Sequence, residues 1–105
     1  MNAQERTINR IHESLKDAVQ RYNETFGKEH NRTKVLNFEV RDLGVNNIKV
    51  VHFETNFSGG SVFTEFRGHL FVGRRGGLKG EVRTLCSSSK VQGRKDLYKV
   101  TMWIY

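Results

Sequence analysis

Apolar residues follow two periods along this chain, and the switch between them falls near residue 27. Before it, Ile8, Ile11, Leu15, Val19, Tyr22 and Phe26 recur at spacings of three, four, four, three and four. That places them on one face of a helix with 3.6 residues per turn. The spacing predicts a helix over 4–26, with Gly27 placed to supply a left-handed cap at its end. Glu13 with Lys16, and Asp17 with Arg21, are positioned to pair along its outer face.

After Gly27 the period becomes two. Leu36, Phe38 and Val40 alternate with Asn37, Glu39 and Arg41, predicting a strand over 34–41. Asp42-Leu-Gly-Val-Asn-Asn47 reads as a turn, because Gly and Asn tolerate left-handed backbone angles. Further strands are predicted over 47–57, 61–73, 80–86 and 97–105. The connections are a Ser58-Gly-Gly-Ser61 hairpin, a glycine-rich link at 73–80 and a polar loop at 87–96. The expected fold is α+β, one domain over 1–105, with an N-terminal amphipathic helix packed on a four- or five-stranded antiparallel meander.

Register assigns the faces. A two-residue loop at Gly59-Gly60 puts Val51, Phe53, Thr55 and Phe57 on one face with Val62, Thr64, Phe66, Leu70 and Val72, and this face should receive the helix. The other face collects Ile48, Val50, His52 and Glu54 beside Glu65, Arg67, His69 and Phe71. In the last strand, Tyr98, Val100, Met102 and Ile104 suit the core. Lys99, Thr101, Trp103 and Tyr105 then point the other way, with Arg83 joining them.

Charge gives that second face its interest. The chain carries net charge +7, yet residues 1–27 balance four cations against four anions. Residues 67–99 hold nine cations, Arg67, Arg74, Arg75, Lys79, Arg83, Lys90, Arg94, Lys95 and Lys99, against only Glu81 and Asp96. One third of the sequence therefore carries the whole excess, a distribution that steers polyanions or acidic protein surfaces toward it. Cations neutralise phosphates, and exposed rings such as Phe71, Trp103 and Tyr105 stack unpaired bases. The expected function is a non-enzymatic nucleic-acid-binding protein, RNA or single-stranded DNA ahead of duplex. Its expected site is the nine cations and Trp103. The alternative is a small inhibitor or adaptor that binds an acidic or nucleic-acid-binding surface of a partner protein. A homodimer through the uncovered face is a further use for exposed aromatics.

Candidate chemistry changes this picture little. His52, Glu54, Glu65 and His69 are the parts of a metal-free ribonuclease, but strand alternation alone explains their exposure, and Glu54 opposite Glu65 would be repulsive. No metal or cofactor is expected. Gly73-Arg-Arg-Gly-Gly-Leu-Lys-Gly80 lacks the Gly-Lys-Ser/Thr ending of a nucleotide-hydrolase loop, though its glycines and cations could close round one phosphate. Cys86, the single cysteine, reads as a buried strand residue, and His12 and His30 as ordinary surface residues. One cysteine, no apolar run of signal-peptide length and no stretch of ~20 apolar residues point to a cytoplasmic protein with no membrane partner.

Overall fold

The computed structural model describes residues 1–30, 33–58 and 65–104. A helix, α1 (Ala3–His30), precedes five strands: β1 (Thr33–Asp42), β2 (Lys49–Ser58), β3 (Phe66–Val72), β4 (Leu78–Arg83) and β5 (Ser88–Gln92). A 3₁₀ helix follows at Arg94–Val100. The strands form one antiparallel sheet in the order β1-β2-β3-β4-β5, a meander with α1 packed on one side.

Asn2 starts the helix. Its side-chain oxygen accepts the Glu5 N–H at 2.8 Å, satisfying a donor that the first turn leaves without a partner. The helix does not stop at Gly27 but continues to His30. An interior glycine costs only about 1 kcal/mol, and Lys28 and Glu29 are adequate helix formers.

The helical stripe and the strand alternation meet as expected. Ile11, Leu15, Phe53, Phe66 and Leu70 are all fully buried in one core. Phe53 faces Gly68 across β2 and β3, and a Cβ on Gly68 would fall inside the Phe53 ring. The glycine thus lets the ring lie across the neighbouring strand. His12 is not an ordinary surface residue: it stacks on Phe38 with centroids 4.2 Å apart and planes 12° from parallel.

Further expectations need correction. Val51 pairs with Leu70, where the two-residue loop would have paired it with Gly68. The register is shifted by two, so every side chain keeps its face, and Glu54 meets Arg67 rather than Glu65. The loop residues Gly59 and Gly60, with Val62, Thr64 and Tyr105, lie outside the described residues, as does the side chain of Phe57. Second, the polar segment 87–96 contains β5, whose single apolar residue, Val91, is fully buried. Third, no strand spans 97–105. Gly93 turns the chain at φ 88°, and the 3₁₀ helix carries it over the sheet edge onto the helix side. Val100 and Ile104 are buried there, while Tyr98 and Met102, expected in the core, are exposed. Cys86 lies in the β4–β5 connection and is exposed, not buried.

Side chains cap part of each sheet edge. On β1, Asn23 of α1 accepts the Lys34 N–H (2.9 Å) and donates to the Lys34 carbonyl (3.2 Å). On β5, Lys99 donates to the Lys90 carbonyl (3.1 Å) and Asp96 accepts the Gln92 N–H (2.9 Å), the two side chains pairing at 3.5 Å. Each pair takes the place of a neighbouring strand, which blunts edge-to-edge association. The Gln92 N–H, with the charges of Lys99 and Lys95, holds the Asp96 carboxyl below its usual range. Lys34 is itself buried on the covered face. Its ammonium donates to the Ile104 carbonyl (3.1 Å) and sits 4.6 Å from the centre of the Tyr22 ring, and burial lowers its pKa.

Candidate nucleic-acid interface

The alternation that buries Phe53 and Leu70 turns the intervening residues to the other side, where neither helix reaches. Strand register arranges them in three cross-strand rows. The first runs Asn37, Glu54, Arg67, Arg83, Ser88; the second Glu39, His52, His69, Glu81, Lys90; the third Arg41, Val50, Phe71, Lys79, Gln92.

Over β2 to β5 this face forms a trough of about 780 Å³. Three rings line it: His52 and His69 meet edge to face at 5.9 Å, and His69 and Phe71 likewise at 5.3 Å. Arg67, Lys79, Arg83 and Lys90 border them. Arg83 pairs with Glu81 at 3.0 Å, and Arg67 with Glu65 at 3.9 Å. Lys79 and Lys90 are exposed and make no ion pair among the described residues. The trough therefore presents ring faces, two imidazoles and one phenyl, flanked by two uncommitted cations and two that share their charge.

The remaining cations lie elsewhere. Arg74 and Arg75 are in the β3–β4 turn. Arg94 and Lys95 begin the 3₁₀ helix beside it, since the Gly93 N–H bonds the Leu78 carbonyl at 2.6 Å. Lys99 belongs to the β5 edge and is held by Asp96. Trp103 does not point out of the sheet: it packs against the core, and its indole N–H is buried without a hydrogen-bond partner among the described residues. Its expected exposure rests on a strand over 97–105, where the chain instead forms the end of the 3₁₀ helix and a turn at 101–104.

Sequence reasoning missed Gln92 and Ser88 as face residues because it missed β5. The signal was present but thin, in the polar-apolar-polar run Lys90-Val91-Gln92. The two histidines and Glu54 do share the face, but no group of three or more His, Cys, Asp or Glu among the described residues could hold a metal ion. No helix among them is long and apolar enough to cross a membrane. Compared with known protein families, with curated proteins and with solved structures, the chain matches none of them.

Proposed function

We propose that the protein binds single-stranded nucleic acid, RNA or DNA, in the trough of its uncovered sheet face, and does so without cleaving it. One observation carries the reading: the rings of His52, His69 and Phe71 share one trough with the cations Arg67, Lys79, Arg83 and Lys90, against the single carboxylate Glu81 in its lining. Unpaired bases stack on such rings in a sequence-tolerant way, at about 1–3 kcal/mol each, while the cations neutralise the backbone. A duplex hides its base faces and leaves the rings unused, so the arrangement favours single strands. Only Phe71 is a full hydrocarbon ring, which fits a modest contribution from stacking and a larger one from charge.

The test is titration of labelled RNA, single-stranded DNA and duplex DNA at about 50 and 200 mM salt, the range over which phosphate binding weakens steeply. Single strands should bind more tightly than duplex, with salt-sensitive affinity, and the RNA should be recovered intact. Absence of binding to all three at the lower salt would reject the reading and direct attention to an acidic protein surface as the partner. Cleavage that disappears in His52→Ala would replace binding with catalysis.

A further inference from the structure

The glycine-arginine segment divides: Lys79 and Gly80 line the trough, but Gly73, Arg74, Arg75 and Gly77 do not. β1 and β3 run toward the same end of the sheet, so the turns at 43–48 and 73–77 stand side by side there. Between them is a cleft of about 570 Å³ lined by Asn46, Asn47, Gly73, Arg74, Arg75 and Gly77.

Two observations make this a built cleft rather than a gap between loose tips. Gln4 of α1, only 6% exposed, donates through Nε2 to the Asn47 carbonyl (2.7 Å) and to the Val72 carbonyl (3.0 Å), tying one turn to the strand that leads into the other. Gly76 adopts φ 86° and presses on the first turn of α1, where Thr7 Oγ1 donates to its carbonyl at 3.0 Å. A Cβ on Gly76 would stand 2.8 Å from Thr7 Oγ1 and 2.9 Å from the Ala3 carbonyl oxygen. The helix thereby fixes the backbone from which both arginines project.

The cleft's charge is unanswered. Neither turn contains an acidic residue, and Arg74 and Arg75 are exposed without an ion pair among the described residues. The adjacent carboxylate in sequence, Asp42, faces Lys49 at 4.0 Å. Across the cleft, Asn46 and Asn47 hold left-handed backbone angles, φ 54° and 56°, and bring side-chain amides that can donate.

We infer that this cleft is a second anion site, separate from the trough, and that it takes a phosphate group. Guanidinium forks match phosphate oxygens two at a time, and an asparagine amide can donate to a third. The row Phe71, Lys79 and Gln92 is the part of the trough nearest this end. If the nucleic-acid reading holds, the cleft receives a backbone phosphate where the strand leaves the trough; that clause alone rests on the earlier proposal.

The test titrates isotope-labelled protein with inorganic phosphate, balancing ionic strength with chloride, and follows amide shifts by NMR. Saturable shifts should be confined to residues 46, 47, 74, 75 and 77. In Arg74→Ala/Arg75→Ala, whose side chains are exposed and leave folding intact, affinity should fall about tenfold, as expected when hydrogen bonds to a charged group are removed. Gln4→Ala keeps every cation but unties the turns, and its affinity should fall as well, provided its spectrum remains folded. Shifts that never saturate and spread equally to Lys16 and Arg21 on the outer side of α1, or full affinity in the arginine double variant, would overturn the site. An oligonucleotide titration reads the trough separately: phosphate binding without oligonucleotide binding keeps the cleft and rejects the nucleic-acid proposal.

Discussion

The two faces of this sheet are made by the same strands, residue by alternate residue, yet they obey opposite rules. On the covered face Val51, Phe53, Phe66 and Leu70 are fully buried, and Lys34, the one buried charged group among the described residues, is held by a carbonyl and a ring. On the uncovered face, charged residues and histidines occupy most of the three rows, and only Val50 and Phe71 among them are apolar and partly shielded on β2 and β3. One parity specifies the fold. The other takes no part in the core, and its residues can change with little effect on it.

That contrast yields a graded set of expectations. Phe53→Ala removes a fully buried ring and should cost about 3–5 kcal/mol, read from denaturant unfolding. A loss below about 1 kcal/mol would mean the covered face is not the core. Trp103→Ala should cost about 3 kcal/mol, because the indole packs against that core from the C-terminal side. Trp103→Phe, which removes the unpartnered N–H while keeping a ring, should stay within about 1 kcal/mol of the parent, since an unmet buried donor is itself costly.

Lys34 tests the charged exception. Its folded pKa is lowered from 10.5, so between the folded value and 10.5 the unfolded chain binds more protons than the folded one. Stability therefore rises with pH through that window and is lower beneath it, where the ammonium is buried with its charge. Lys34→Met should abolish the rise while changing stability at neutral pH by about 1 kcal/mol or less, as apolar replacements of buried charges often do. Unfolding curves at neutral and alkaline pH decide it; a variant that keeps the rise would assign it to another group.

The smallest expected effect on stability belongs to the uncovered face. Lys79→Gln/Lys90→Gln should alter stability by no more than about 0.5 kcal/mol. The same variant should flatten the salt dependence of single-strand binding, by about 0.7 in log–log slope for each phosphate that is no longer neutralised. An unchanged slope in the folded variant would place the phosphates elsewhere.

Much of this contrast is legible in the sequence. Ile11, Leu15 and Val19 declare a helical face because several helical repeats fit inside one long element, and strand parity survives a two-residue register error unchanged. β5 is hidden because an edge strand with Val91 as its only buried apolar residue leaves no alternation to read. The C-terminal segment misleads for the opposite reason. Tyr98, Val100, Met102 and Ile104 fit period two, while Leu97, Val100 and Ile104 fit a helix equally well, and only the turn at Gly93 decides between them. The cleft between the turns is half visible: Arg74 and Arg75 stand out, but nothing in sequence brings Asn46 and Gln4 beside them.

Everything proposed for the trough turns on one claim, that the residues left over from folding form the binding face. Mapping amide shifts while a short single-stranded oligonucleotide is added tests it most directly. Shifts should concentrate at His52, Arg67, His69, Phe71, Lys79, Arg83 and Lys90, with the outward side of α1, around Glu13, Lys16 and Asp17, unmoved. Shifts centred on α1, or none in the three rows of the uncovered face, would contradict it.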